Sequence, residues 1–168
     1  MDLPGSAYLY TLATLSMTFV GFCAIAIVLR QSTGAEMSGW HIVLTRLYIE
    51  SGLWAAAFSM LAPLLALCGL TAPTVFRVSS GIIALSMVVY GATYARRRRL
   101  MMSERIPVRR WVGVTVGSLF VIVGLLSNAA GLPFAEGVAP IAIAATWTLG
   151  CGAVVFMLAL DAFWKRAS

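Results

Sequence analysis

Five long apolar runs constrain the fold of this chain more than any other feature of its sequence. A membrane helix needs about 20 consecutive apolar residues to cross a hydrocarbon core of roughly 30 Å. Runs that meet this requirement cover residues 7–29, 48–70, 75–95, 111–130 and 140–163. Only 11% of the 168 residues are charged, whereas about a quarter are charged in an average soluble domain. We therefore predict an all-α, polytopic membrane helix bundle with five transmembrane helices, in a single membrane domain over residues 1–168.

The basic residues predict the orientation of these helices. Cytoplasmic loops of membrane proteins carry an excess of Lys and Arg, and the loop predicted at residues 96–110 contains seven arginines. With this loop in the cytoplasm, five spans place the N-terminus outside and the C-terminus in the cytoplasm. Of the 12 basic residues, Arg77 alone then falls outside. We expect an integral membrane protein of the bacterial inner (plasma) membrane. Its surface therefore contacts the lipid bilayer, which we count as its main partner.

The first apolar run carries a stripe of hydroxyl and small side chains. Thr11, Thr14, Thr18 and Gly21 follow one another at intervals of three or four residues, so they share one face of a helix. Such residues let membrane helices pack closely, and hydroxyls can also line a pore. The spacing leaves both interpretations open.

Charged residues gather where the apolar runs meet the predicted cytoplasmic side. Arg46 and Glu50 are one helical turn apart at the start of the second run, and Asp161 precedes Lys165 by one turn near the C-terminus. Together with Arg30 they form either an ionic collar that fixes helix depth or the mouth of an ion path. No Asp, Glu, Lys, Arg or His lies near the middle of a run, which argues against a proton relay, a pump or a charge-coupled transporter.

Two further features concern packing. Gly113, Gly117 and Gly124 give the fourth run small residues on roughly one side, which is typical of close helix contact. Pro63 lies inside the second run and predicts a kink, which is either a simple bend or the hinge of a gate.

The remaining chemistry of the sequence is limited. The three cysteines Cys23, Cys68 and Cys151 lie singly in apolar runs, so no disulfide framework is indicated. We find no catalytic constellation, no metal-ligand spacing and no cofactor motif, and we expect no enzymatic activity.

The basic residues indicate which partners the chain has. Membrane topology explains their number, so we expect no nucleic-acid partner. We expect contacts with anionic lipid headgroups or other anions from these residues of the basic loop: Arg96, Arg97, Arg98, Arg99, Arg109 and Arg110.

Two functional hypotheses follow from these features. The first is a homo-oligomeric ion channel or pore, in which self-association brings threonine stripes together and arginines surround the cytoplasmic mouth. The second is a non-catalytic accessory or scaffold subunit, whose small-residue faces pack against a larger membrane complex.

Overall fold

The structure of the protein is an antiparallel bundle of membrane-length helices. The computed structural model describes residues 3–32, 39–101, 108–132 and 137–167, with side chains except at residues 30, 39–41, 94–101, 108–111 and 161–167. The described residues form α1 (Ser6–Ser32), α2 (Gly39–Leu67), α3 (Ala72–Met101), α4 (Val108–Ala129) and α5 (Ala139–Ala167). All five helices are long and apolar enough to cross a membrane. This confirms the predicted all-α fold with five spans, while the orientation of the termini stays a prediction.

Large apolar side chains cover the outer surface of the bundle, as lipid requires. Leu67 and Phe120 are 83% and 75% exposed, and similar side chains project from all five helices. A water-soluble monomer of this size rarely exposes so much contiguous apolar surface. The chain is therefore an integral membrane protein.

Two helices hold the bundle together. In the described structure α5 contacts each of the other four helices, and α2 contacts α1, α3 and α5. Among the described residues, α4 contacts only α3 and α5, and it is the least buried span. One end of the bundle contains the start of α1, the α2–α3 turn and the α4–α5 connection; we call it the predicted outer end. The opposite end is called the predicted inner end.

The α2–α3 turn shows why the second helix stops earlier than the apolar run. Gly69 adopts a φ of 78°, which favours glycine and is common just past a helix C-terminus. Thr71 then precedes α3, where its hydroxyl hydrogen-bonds that of Thr74 at 2.9 Å. Pro73 fits the first turn of α3 because the amide groups there have no partner within the helix. Helix α2 thus ends at Leu67 rather than at residue 70.

The structure shortens the predicted basic loop 96–110 from both sides. Helix α3 continues to Met101, so Arg96, Arg97, Arg98 and Arg99 lie on its last turns, while α4 already begins at Val108. Arginine is a good helix former, and cations near a helix C-terminus interact favourably with its dipole. The length of the apolar run could not predict this boundary, because the helix continues beyond the run.

Apolar side chains fill the interior of the protomer. Leu9, Ile83, Leu125 and Ile141 are fully buried in one cluster. A second cluster lies toward the predicted inner end, where the Phe156 ring meets Phe19, Phe22 and Tyr48 edge-on, with centroids 5.3–6.0 Å apart. Two glycines allow the helices around it to approach closely. A Cβ at Gly52 would lie 2.5 Å from Val20 of α1, and one at Gly152 would lie 2.8 Å from Ser51 of α2.

Candidate functional site

The threonine stripe faces away from the bundle. Thr11, Thr14, Thr18 and Gly21 are all exposed on α1, whereas Ser16 on the opposite side is fully buried. Each threonine hydroxyl donates to the carbonyl oxygen four residues earlier, at 2.9–3.0 Å. The donor proton is therefore satisfied within α1, and the hydroxyl oxygen keeps acceptor capacity on the outer surface. The exposed face of the stripe is thus available to lipid, to water or to a second protein.

A shallow groove runs beside the stripe between α1 and α2. Its volume is about 660 Å³ and it opens widely to the surroundings. Small side chains form much of its wall, and the two methionines are flexible; the lining residues are Ala13, Thr14, Met17, Thr18, Ala56, Ala57 and Met60. On the side away from α2, the stripe is bordered by Tyr10 and Leu15 of α1 itself and is open to the surroundings. The surface around the threonines is therefore open, and small or adaptable side chains line the groove toward α2.

The predicted inner end contains a polar contact between two helices. Arg46 Nε donates to Glu50 Oε1 at 2.5 Å, and the Tyr90 hydroxyl of α3 donates to Glu50 Oε2 at 3.1 Å. The Tyr90 ring also meets Trp54, one turn further along α2, at a centroid distance of 6.2 Å. The Glu50 side chain is 24% exposed and Arg46 is 58% exposed, so the cluster borders the bundle surface. Glu50 therefore joins α2 to α3 as well as pairing with Arg46.

The remaining members of the predicted charged rim are placed only by their backbone. Arg30 lies in the last turn of α1, and Asp161 and Lys165 lie in the last two turns of α5. These positions share the predicted inner end with Arg46 and Glu50, but their side chains lie outside the described set. The same holds for Arg96–Arg99 on α3 and for Arg109 and Arg110 on the first turn of α4.

The glycines of α4 have different surroundings. A Cβ at Gly117 would overlap the Trp147 ring of α5, whose Nε1 donates to Ser118 at 3.1 Å. At Gly113 and Gly124, no described atom outside the local helix lies within 4 Å of such a Cβ. Gly117 is therefore the glycine of this set that makes room for a neighbouring helix.

Pro63 is buried within a continuous α2. Whether it acts as a bend or as a hinge stays a prediction.

A buried amide at the predicted outer end is a feature that the sequence interpretation missed. Asn128 is fully buried, and its Nδ2 donates to Ser80 Oγ at 2.8 Å and to the Gly137 carbonyl at 2.9 Å. The Gly137 amide donates back to Asn128 Oδ1 at 3.3 Å. One side chain thus ties α4 to α3 and to the segment that precedes α5. Asn128 is the only asparagine of the chain, and a single amide in an apolar run was the available signal.

Neither protein-family models, nor curated proteins, nor solved structures match this chain.

Proposed function

We propose that this membrane protein forms a homo-oligomeric ion pore, with the threonine stripe of α1 toward the ion path and arginines around the cytoplasmic mouth. The observation that supports the proposal is the outward position of Thr11, Thr14 and Thr18 beside the open groove between α1 and α2. The stripe extends over about 10 Å of helix and offers hydroxyl oxygens that can replace part of an ion's hydration shell.

The packing of a single protomer favours a path between copies. Leu9, Ile83, Leu125 and Ile141 fill its interior, and burying an ion among such side chains is very costly. The exposed hydroxyls on the outer surface of α1 offer an ion a less apolar environment than this interior. The shallow groove of small residues beside the stripe suits a helix from another copy, because small residues allow backbones to approach.

The charges of the assembly have opposing effects on ion selectivity. Arginines at the mouth attract anions, whereas threonine oxygens and a ring of Glu50 carboxylates favour cations. Arg46 offsets part of the Glu50 charge, and the Tyr90 hydroxyl occupies one acceptor position of the carboxylate. We therefore propose anion preference at the mouth, and the sign of the reversal potential tests it.

The alternative function is that of an accessory subunit in a larger membrane complex. The groove of Ala13, Ala56 and Ala57, flanked by Met17 and Met60, suits a foreign helix as well as it suits a second copy. The two functions differ in what the isolated protein does. A pore assembles into a defined oligomer and conducts alone, while an accessory subunit stays monomeric and silent without its partner.

The test combines ion flux with oligomeric state. The purified protein is reconstituted into liposomes under a salt gradient, and its mass is measured by native mass spectrometry. Thr14→Val and Thr18→Val each remove one hydroxyl with little change in volume, so we expect altered conductance with the oligomer unchanged. Thr93→Val is the matched control, because Thr93 is also exposed and bonded to its own helix, but on α3.

Each result assigns one of the two functions. Conductance that changes in both α1 variants and not in Thr93→Val supports the pore. A monomeric and silent wild-type protein contradicts the pore and favours the accessory subunit. Variants that disturb assembly before conductance would show that the stripe packs helices instead of lining a path.

A further inference from the structure

Helix α3 continues beyond its apolar part. The apolar run of α3 ends at Ala95, whereas the helix reaches Met101. Residues 96–101 therefore add about 9 Å of helix at about 1.5 Å per residue. Arg96, Arg97, Arg98 and Arg99 occupy this extension. Because the backbone is continuous with a membrane span, α3 itself sets the depth of the four arginines, which a loose loop would not do.

This depth coincides with the headgroup layer of a bilayer. The hydrocarbon core is about 30 Å thick and the whole bilayer about 40–45 Å, which leaves about 5–7 Å of headgroups on each side. The Cα atoms of Arg96–Arg99 lie about 2–6 Å beyond Ala95 along the helix. The polar contact of Tyr90 with Glu50 lies five residues before Ala95, close to the edge of the apolar run. Successive residues turn by about 100° around a helix, so the four positions surround most of the extension.

The charge balance of this side leaves cations without acidic partners. Eleven of the 12 basic residues fall on the predicted inner side, whereas the acidic residues there are four: Glu36, Glu50, Glu104 and Asp161. Even if every one of these acids pairs with a base, seven positive charges are left. This excess of positive charge is larger than the positive-inside orientation of the helices requires. The anions most abundant at that depth are the phosphate groups of lipids.

We infer that the extension of α3 is a binding segment for the headgroups of anionic phospholipids. Arg96–Arg99 hold several such lipids around α3 at the inner leaflet, through charge and not through recognition of one lipid species. The segment acts as an electrostatic anchor that fixes the vertical position of α3, next to the Glu50 contact between α2 and α3. This inference does not depend on ion conduction by the protein.

The test measures lipid association with the full chain. The protein is reconstituted in phosphatidylcholine that contains spin-labelled phosphatidylglycerol or spin-labelled phosphatidylcholine, and electron spin resonance gives the motionally restricted fraction of each label. We expect a preference for phosphatidylglycerol at low ionic strength, which about 1 M salt removes because the Debye length falls to about 3 Å. A basic residue near an anionic surface strengthens binding roughly fivefold. The Arg98→Gln/Arg99→Gln double variant should therefore lose a factor between roughly 3 and 25 of that preference.

The control separates charge from helix disruption. Glutamine and lysine are both good helix formers, so Arg98→Lys/Arg99→Lys keeps charge and helix and should retain the preference. Equal association of the two labels with the wild-type protein overturns the inference. So does a lysine variant that behaves like the glutamine variant. Inorganic phosphate that displaces phosphatidylglycerol more strongly than chloride of equal ionic strength would identify a site for free phosphate instead.

Discussion

Replacing Asn128 with leucine should destabilise the bundle far more than its position near a helix end suggests. The substitution keeps a branched side chain of similar size and removes the three hydrogen bonds of the amide to Ser80 and Gly137. Asn128 and Ser80 are fully buried, so water cannot simply replace the lost partners there. Gly137 is half-buried, which allows partial rehydration of its backbone groups.

The magnitude depends on how polar groups behave in a membrane. A buried group left without a partner costs about 1–3 kcal/mol in water-soluble proteins. Side-chain hydrogen bonds between membrane helices average only about 0.6 kcal/mol, with a maximum near 1.7, because the unfolded chain also finds partners. The free Ser80 hydroxyl can turn to its own helix. Three bonds at about 0.6–1 kcal/mol each give an expected loss of about 2–3 kcal/mol.

The assay is reversible unfolding in mixed micelles, followed by tryptophan fluorescence. Ser79→Ala is the matched control, because the buried Ser79 hydroxyl bonds only the Val75 carbonyl of its own helix, and we expect a change below about 0.5 kcal/mol. A double-mutant cycle of Asn128→Leu with Ser80→Ala isolates the contact between α3 and α4. The reasoning is refuted if Asn128→Leu unfolds like the wild type. It is also refuted if Ser80→Ala lowers the free energy of unfolding by the same amount in the wild type and in Asn128→Leu.

Two further predictions concern helix contacts. Gly117→Val should lower the free energy of unfolding by about 1–3 kcal/mol, since the new side chain overlaps the Trp147 ring. Gly113→Val is the control: no described neighbour lies within 4 Å of its Cβ, so the free energy of unfolding should change by less than about 1 kcal/mol. Equal losses in the two variants would contradict the contact between Gly117 and Trp147. Tyr90→Phe should weaken the α2–α3 contact by about 0.5–1.5 kcal/mol, since the hydroxyl donor to Glu50 is lost. A cysteine-crosslinking series between α2 and α3 would detect the change, and an unaltered crosslinking rate would speak against this hydrogen bond.

The number and approximate position of the helices could be predicted because lipid imposes a simple rule. Every backbone polar group in the membrane needs a partner, so each apolar run of sufficient length forms a helix. The runs matched α1, α3, α4 and α5 closely in their centres, whereas α2 begins at Gly39, nine residues before its run. The ends were less predictable, as Arg96–Arg99 show, because charged residues with good helix propensity let a helix continue past its apolar run.

The faces of the helices were much harder to predict. Lipid is as apolar as the protein interior, so hydropathy does not distinguish the buried side of a membrane helix from the exposed one. Gly113 and Gly117 share a motif, yet only Gly117 lies under a described neighbour. Gly52 and Gly152 belong to no recognised motif and make room for the closest approaches of α1, α2 and α5. The outward direction of the threonine stripe likewise required the structure.

The central place of α5 has a consequence for the synthesis of the protein. Because this helix contacts all four others, and its Phe156 joins the aromatic rings of α1 and α2, the bundle cannot close until α5 has been synthesised. Until then, the earlier helices stay in the membrane with the Tyr48 and Ser51 side of α2 uncovered. A chain interrupted after α4 would keep this surface uncovered, and we expect membrane proteases to degrade it faster than a chain that contains α5.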